Sequence, residues 1–245
     1  MKKIISYIAT PFFYFLFILA LIIFHPIQVI CKTLFGYQAH KVSVDILNYI
    51  LMRLVWVIGF RIKFNNKANL PTDRPIIVVS NHQGTYDIPP IVWMFRKHHP
   101  KFISKIELAK GFPSISYNLR HSGAALINRK NRNQALAEIR KLGKLIADNN
   151  YCACIFAEGT RSKTGKLKQF KSGGLATLLE EAPNALVVPF VVDGNYKIER
   201  NGRFPLSFGE KGSYSILEAI EPKDYTPDEL CSKIRDLISI ELEQK

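Results

Sequence analysis

A long uncharged segment near the N-terminus limits how this chain can fold, because the segment must be removed from water either in a membrane or in a protein core. Residues 4–24 read IISYIATPFFYFLFILALIIF, 21 positions without a charged side chain. As a single helix this segment would extend about 31 Å, close to the thickness of the hydrocarbon core of a bilayer. Pro11 divides it, and the apolar run from Pro11 to Phe24 would extend only about 21 Å, a length typical of a re-entrant or interfacial helix. The sequence therefore predicts a membrane element at the N-terminus.

Two other interpretations of this segment are open at the level of sequence, a signal peptide and a buried core helix. The basic start suits a signal peptide, but no small-residue cleavage site follows Phe24. Four lysines precede Asp45, the first acidic residue: Lys2, Lys3, Lys32 and Lys41. Basic flanks on both sides favour a segment that enters the cytoplasmic leaflet and returns. We expect the bend at His25–Pro26, because proline disfavours helical geometry in the residue before it.

A second apolar stretch covers residues 42–60 and is interrupted by Asp45, Asn48 and Arg53. These polar groups make a fully lipid-embedded helix expensive, so we expect a helix packed beside the following domain. The sequence therefore predicts two parts. Residues 1–60 form N-terminal membrane-anchoring helices, and residues 61–245 form one further domain.

The second part alternates between two hydrophobic patterns. Short apolar runs at 75–80, 152–157 and 185–192 are typical of buried strands. Residues 132–149 and 175–181 show helical spacing, and Thr226, Pro227 and Glu229 form a capping box that opens a C-terminal helix. Residues 208–220 could supply a late strand or a hairpin. This alternation predicts an α/β fold with a mixed, mostly parallel sheet flanked by helices.

Composition limits the class of protein but does not identify a partner. Hydrophobic residues make up 47% of the chain, too many for a disordered chain. The formal net charge of +14 favours a polyanionic partner, which could be nucleic acid, anionic lipid or a phosphorylated ligand. The four cysteines include no Cys-x-x-Cys pair, and Cys152 and Cys154 lie in an apolar run. A reduced, cytosol-facing compartment is the simpler interpretation, although a disulfide is not excluded.

The first candidate for chemistry follows the apolar run at 75–80 and reads NHQGTYD. His82 and Asp87 are five residues apart, so they cannot share a helix face but can meet in a turn. A carboxylate that holds one ring nitrogen fixes the tautomer and leaves the other nitrogen to accept a proton. This pair could activate a substrate hydroxyl, and a structural histidine in a loop is the alternative.

The second candidate follows the run at 152–157 and reads EGTRS, residues 158–162. A glycine lets the backbone approach a ligand closely, and Arg161 could grip a phosphate with two parallel hydrogen bonds. Further basic residues follow without an acidic one until Glu180: Lys163, Lys166, Lys168 and Lys171. A solvated basic loop is the alternative. Arg129, at the end of GAALINR, and Lys105 are weaker phosphate candidates.

Together these segments resemble the glycerolipid acyltransferase family, and within it most closely the bacterial 1-acyl-glycerol-3-phosphate acyltransferases. The similarity covers about residues 75–192 and comprises four ordered blocks: Asn81-His82 with Asp87; Gly123 with Ile127 and Arg129; Phe156 to Ser162; and Val188-Pro189-Phe190. Lys105, Glu107, Leu108 and Pro113, and the segment 170–174, also match. Two positions depart from the family pattern, because Gly84 replaces a common serine and Ala157 a common proline. These departures bear on the acceptor rather than on the reaction.

The resemblance implies an acyltransferase domain over 61–245. His82 would be the general base and Asp87 would orient it, with direct attack of the acceptor on a thioester and no acyl-enzyme. The acceptor phosphate would bind to Glu158, Gly159, Thr160, Arg161, Arg129, Lys105 and Lys171. No metal or cofactor is implied. The implied partners are acyl-CoA or acyl carrier protein as donor, a lysophospholipid acceptor and membrane lipids, without nucleic acid. The implied location is the cytoplasmic face of a bacterial inner membrane.

Three other functions fit the sequence less well. A serine hydrolase lacks its Gly-x-Ser-x-Gly elbow here. A non-catalytic module that binds anionic lipid would fit the net charge but gives no reason for the His82/Asp87 pair. An acyltransferase could also use another acceptor, such as lyso-ornithine lipid or lysophosphatidylglycerol.

Overall fold

A computed structural model describes residues 2–244. Its α-helices are α1 (Lys2–Leu54), α2 (Ile88–Met94), α3 (Ile115–His121), α4 (Arg132–Asn149), α5 (Gly173–Glu181) and α6 (Pro227–Glu243). Its strands are β1 (Arg61–Asn66), β2 (Ile76–Ser80), β3 (Pro100–Lys105), β4 (Ala125–Ile127), β5 (Cys152–Phe156), β6 (Leu186–Asp193) and β7 (Lys211–Ile216).

The long helix α1 is two helical arms joined at Gly36. Gly36 has φ 80° and ψ −163°, a conformation that glycine adopts without steric cost. Leu21 of the first arm packs with Leu47 and Leu51 of the second, so the arms lie side by side. The expected bend at His25–Pro26 was wrong, because Pro26 stays inside the first arm and the chain turns at Gly36. Glycine rather than proline makes the turn, because glycine reaches a positive φ without steric cost.

The first arm of α1 exposes many of its large apolar side chains and buries several of its polar ones. Ser6, Thr10 and Gln28 are buried, whereas large apolar side chains are exposed at Ile8, Phe12, Phe15, Ile18, Ile22, Leu34 and Phe35, among others. Only 22% of the most apolar 18-residue window is buried, which contradicts the alternative of a core helix. Among residues 2–244, α1 is the one helix long and apolar enough to cross a membrane, judged by length and composition.

The sheet has seven strands in the order β1-β7-β6-β2-β5-β3-β4. The five strands from β6 to β4 are mutually parallel, β7 is antiparallel to β6, and β1 is parallel to β7. The predicted mixed, mostly parallel sheet is therefore confirmed, as are the strands at 75–80, 152–157 and 185–192. The helix expected at 132–149 has those bounds. Strands β1 and β3 were not predicted, and 208–220 contains one strand rather than a hairpin.

Alternate side chains of the central strands face two different helical layers. Ile77 and Val79 lie in a core cluster that also contains residues of α4, α5 and α6. Ile76 and Val78 lie in a second cluster with residues of α2 and of the second arm of α1, including Val44. The second apolar stretch therefore packs against the domain as expected. Because both faces of the sheet are covered, its strands are continuously hydrophobic.

The strand register places three loops beside one another. Ser80, the last residue of β2, lies opposite Phe156 of β5 on one side and Phe190 of β6 on the other. Since parallel strands end at the same edge, the residues after β2, β5 and β6 meet there. This edge carries the candidate residues of the sequence.

Candidate active site

His82 and Asp87 meet in the turn that follows β2. A short 3-10 turn over Thr85–Asp87 brings the carboxylate back toward the histidine, and Asp87 Oδ2 lies 2.8 Å from His82 Nδ1. A carboxylate only accepts hydrogen bonds, so Nδ1 carries the proton and donates it. Nε2 is then the nitrogen with a free lone pair. The arrangement is that of an oriented imidazole base.

The charge of Asp87 is met by four donors, although the side chain has no exposed surface. Besides the His82 ring, Oδ2 accepts the backbone N–H groups of Gln83 at 2.7 Å and Gly84 at 3.0 Å. The other oxygen, Oδ1, accepts the side-chain amide of Asn195 at 2.6 Å. A buried carboxylate is tolerated when it is hydrogen-bonded in this way.

Glu158 ties the loop after β5 to the loop after β2. Its Oε1 accepts the backbone N–H of His82 at 2.9 Å, and the residue is buried. Burial raises the pKa of the Glu158 carboxyl, and the backbone N–H groups of His82 and Lys168 oppose that rise. The sequence grouped Glu158 with the phosphate-binding residues. Its position shows that Oε1 holds the histidine loop, and its part in acceptor binding stays a prediction.

The His82 ring is fixed from a second direction. It stacks on Phe156, the last residue of β5, with ring centroids 4.0 Å apart and planes inclined by 17°. The His82 carbonyl also accepts the backbone N–H of Ser162 at 2.7 Å. Asn81, one residue earlier, exchanges two 2.8 Å hydrogen bonds with the backbone of Val192. Loops from three strands therefore hold one imidazole in place.

A cluster of cations lies beside this imidazole. Arg161 donates to the Thr85 hydroxyl at 3.1 Å, which places its guanidinium over the 82–87 loop. The backbone of Gly159 has φ +68°, and the Lys171 side chain lies over it, since a Cβ there would be 3.8 Å from Nζ. Lys168 donates to the Thr160 hydroxyl at 3.0 Å. Gly159, Thr160, Arg161 and Lys171 are therefore brought together near His82.

Lys105 and Arg129 lie at the same edge of the sheet but farther along it. Lys105 ends β3 and lies opposite Ile127 of β4, with Arg129 two residues beyond. Strand β5 separates β3 from β2, so Lys105 lies about 10 Å from the His82 strand and Arg129 about 14 Å away, at about 4.8 Å per strand. Within the described residues, neither forms a hydrogen bond or ion pair with the His82 cluster. Both side chains are exposed.

Sequence reasoning missed several residues of this site. Asn195 contacts Asp87 directly, and Tyr214 contacts Asn195. Thr85 accepts from Arg161, and its Oγ1 lies 3.2 Å from the Glu199 carboxylate. Asn195 could have been found, because it is a polar residue just beyond a predicted strand. Tyr214 carries no such signal.

Comparison of this chain with known proteins identifies a family and several relatives. The family model described as Acyltransferase matches residues 61–193. A 1-acyl-sn-glycerol-3-phosphate acyltransferase of Borreliella burgdorferi is 27% identical over 208 residues, covering 80% of each chain. One of Chlamydomonas reinhardtii is 25% identical over 236 residues, covering 96% of this chain and 69% of that one.

A solved structure has the same fold. The crystal structure of the 1-acyl-sn-glycerophosphate acyltransferase PlsC from Thermotoga maritima matches with a TM-score of 0.79 and 24% identity, over 100% of this chain and 97% of that one. At this identity the likeness establishes the fold. The family match covers more than half of the chain and includes His82, Asp87, Arg129 and Arg161, and from it we conclude that the chain belongs to the acyltransferase family.

Proposed function

We propose that this enzyme transfers a fatty acyl group from a thioester donor to the free hydroxyl of 1-acyl-glycerol-3-phosphate, forming phosphatidic acid. The observation that carries the proposal is the 2.8 Å contact between His82 Nδ1 and Asp87 Oδ2, which leaves Nε2 as a base beside a cluster of cations. The names of the relatives supply the acceptor class. A phosphorylated lysolipid fits a site with basic groups next to the base.

The reaction needs one proton to move twice. His82 Nε2 takes the proton of the acceptor hydroxyl as the oxygen attacks the carbonyl carbon of the thioester. The tetrahedral intermediate collapses, the carbon–sulfur bond breaks, and the leaving thiolate takes the proton back from the imidazolium. An ester and a free thiol result, and no acyl-enzyme forms. Asp87 keeps its charge throughout and stabilises the imidazolium, as a carboxylate does in a catalytic triad.

The acceptor phosphate is assigned to the cations around Gly159. Arg161 offers a planar pair of donors, Lys171 offers a point charge, and the Gly159–Thr160 backbone can approach the phosphate closely. Lys105 and Arg129 lie farther along the sheet edge, where they would meet the acceptor or the donor after a shift of their long side chains. The donor is acyl-CoA or acyl carrier protein. Both are acidic, so the net charge of +14 does not choose between them.

We assign residues 1–60 to membrane anchoring and 61–245 to catalysis. The exposed apolar side of α1 supports a surface that enters one leaflet, and the basic residues before Asp45 favour the cytoplasmic face of a bacterial inner membrane. The loop after β3 adds exposed apolar side chains at Ile106, Leu108 and Phe112. Ser114, at the end of that loop, donates to the Leu21 carbonyl of α1 at 2.7 Å, which joins the two surfaces.

The test is a product assay with the full chain in detergent. Wild type, His82→Ala and His121→Ala are supplied with lysophosphatidic acid and an acyl-CoA, and phosphatidic acid is measured by mass spectrometry. His121 is an exposed histidine on α3 and serves as the matched control. We expect product from wild type and His121→Ala, and turnover at least about 100-fold lower for His82→Ala.

Two outcomes would contradict the proposal in different ways. Wild-type turnover in His82→Ala would remove the base assignment. Product with lyso-ornithine lipid or lysophosphatidylglycerol, but not with lysophosphatidic acid, would keep the reaction and replace the acceptor. The same assay is repeated with acyl carrier protein as donor.

A further inference from the structure

The two oxygens of Asp87 have unequal support. Oδ2 accepts three donors, which are the His82 ring and two backbone N–H groups. Oδ1 accepts one, the Nδ2 group of Asn195 at 2.6 Å. Because Asp87 is completely buried, Asn195 alone among the described residues opposes rotation of the carboxylate about its Cβ–Cγ bond from the Oδ1 side. Such a rotation would move Oδ2 away from the His82 ring.

Asn195 is itself held by a buried tyrosine. The Tyr214 hydroxyl lies 2.7 Å from Asn195 Oδ1, and both residues are buried. The orientation of the amide is forced, because a carboxylate accepts only and Nδ2 must therefore face Asp87. The Tyr214 hydroxyl must then donate to Oδ1. Burial and the nearby charge of Asp87 raise the pKa of Tyr214, so this hydroxyl keeps its proton.

Tyr214 lies in the sheet, and Asn195 lies in the turn that directly follows a strand. Asn195 follows β6 directly after Gly194, whose φ is +82° and whose missing Cβ would lie 2.3 Å from the Lys211 carbonyl oxygen. Tyr214 lies in β7 opposite Val192 of β6, and its ring stacks on Phe190. Val192 is also the residue that holds Asn81. The same pair of strands, β6 and β7, therefore holds both the histidine loop and the Asp87 carboxylate in position.

We propose that Asn195 and Tyr214 are positioning residues for the transfer reaction and act through Asp87. Tyr214 fixes the Asn195 amide, Asn195 fixes the Asp87 carboxylate, and the carboxylate fixes the tautomer and plane of His82. No proton moves along this relay, because every donor in it keeps its hydrogen. The inference rests on the proposed role of His82 as the base.

The test is a double-mutant cycle on kcat with Asn195→Ala, Tyr214→Phe and the double variant, in the full chain in detergent. We expect kcat to fall about tenfold or more for Asn195→Ala, since small misplacements of catalytic groups cost up to about 100-fold. Tyr214→Phe, which keeps the ring packing, should cost about threefold, within the range of one lost hydrogen bond. The KM values for donor and acceptor should stay within about twofold of wild type in each variant.

Two readouts separate positioning from general stabilisation. If Tyr214 acts through Asn195, Tyr214→Phe should have no further effect on kcat in the Asn195→Ala background. The acid limb of the kcat–pH profile should move to higher pH in Asn195→Ala, because the positive end of the amide no longer opposes charge on the His82 imidazolium. Asn201→Ala, in the same connection after β6, and Tyr225→Phe, at a half-buried tyrosine just before α6, are the matched controls and should leave both readouts unchanged.

Several results would overturn the inference. Additive losses in the double variant, or an acid limb that stays in place or moves lower, would show that the two residues only stabilise the fold. If Asn195→Ala does not fold, the size of the Tyr214→Phe effect on kcat decides, and an unchanged kcat overturns the relay. Failure of the proposed function is seen separately, as normal turnover in His82→Ala.

Discussion

The sheet edge around His82 and the first arm of α1 differ in what they hold in place and in what they expose. Asn81, at the sheet edge, has both amide atoms bonded to the backbone of Val192. Gln28, in the first arm of α1, is equally buried, yet neither of its amide atoms has a hydrogen-bond partner within residues 2–244. Buried polar atoms without a partner among the described residues occur in both regions, at Gln28 in α1 and at Gln83 and Glu158 Oε2 at the sheet edge. The regions differ in what they expose, because α1 presents large apolar side chains, whereas the sheet edge holds His82 and Asp87 in a hydrogen-bonded arrangement.

This difference follows from what each region must do. A site that transfers a proton gains from groups that are already oriented, because no reorganisation is needed during the reaction. A helix that meets lipid gains from exposed apolar surface, which would be a liability in water. The comparison predicts that changes at the sheet edge alter the rate of chemistry, and that changes on the outer side of α1 alter access to substrate.

The largest effect is expected from Asp87→Asn. An amide at position 87 carries no charge to stabilise the His82 imidazolium, and one of its two sides must present a donor to a group that itself donates, which disturbs the arrangement. We expect kcat to fall by a factor of about 100 to 1,000, the usual scale for disabling a general base, with little change in either KM. Steady-state kinetics in detergent measure this. A kcat within threefold of wild type would mean that the sheet edge is not the catalytic region.

The second-largest effect is expected from a double variant that carries both Phe15→Lys and Ile22→Lys. Both side chains are more than half exposed and lie two helical turns apart on the same side of α1. Each loses about 1.5–3 kcal/mol of apolar burial in lipid, so binding to vesicles should weaken at least about 100-fold. Vesicle flotation measures the binding. Ile240→Lys, at an equally exposed position on α6, is the control, and equal losses in both would remove the special role of α1.

Arg161→Gln should have a smaller and more selective effect. A hydrogen bond to a charged group contributes about 1.5–3 kcal/mol, so the KM for the acceptor should rise roughly 10- to 100-fold. The KM for the donor should change little, because the loss is confined to the phosphate site. Lys163→Gln removes a neighbouring exposed charge and serves as control. An equal rise in both KM values would contradict a phosphate grip by Arg161.

The smallest effect is expected at the junction of the two regions. Thr10 accepts the backbone N–H of Leu206 at 2.9 Å, and both residues are buried. Thr10→Val leaves that N–H without a partner, so the free energy of unfolding should fall by about 1–2 kcal/mol. Thermal unfolding in detergent measures this against Thr33→Val, an exposed threonine in the same helix. Equal stability of the two variants would mean that the junction is not bonded through Thr10.

The elements that the sequence predicted correctly are those with local signals. The apolar runs of β2, β5 and β6 end at polar motifs, and parallel strands bring such ends together, which placed His82, Asp87 and Arg161 at one edge. The helix α4 follows from its hydrophobic period, and α6 from its capping box.

The missed features depend on contacts between distant segments. The bond from Tyr214 to Asn195 exists because β7 pairs antiparallel with β6 in one register, and no local pattern encodes that register. Glu158 holds the histidine loop because it lies within hydrogen-bond distance of the His82 backbone N–H. The EGTRS motif resembles a phosphate-binding loop and does not reveal that contact. The turn at Gly36 was missed because proline is the stronger sequence indicator of a bend in a helix. Glycine, however, is the residue that reaches a positive φ.

The most direct test of the division between the two regions is turnover with two acceptors. One is a long-chain lysophosphatidic acid in vesicles, and the other a water-soluble short-chain analogue. We predict that the Phe15→Lys, Ile22→Lys variant loses turnover with the vesicle acceptor but keeps it with the soluble one, whereas His82→Ala loses both. Equal losses of the α1 variant with both acceptors, or turnover by His82→Ala with either, would contradict the account.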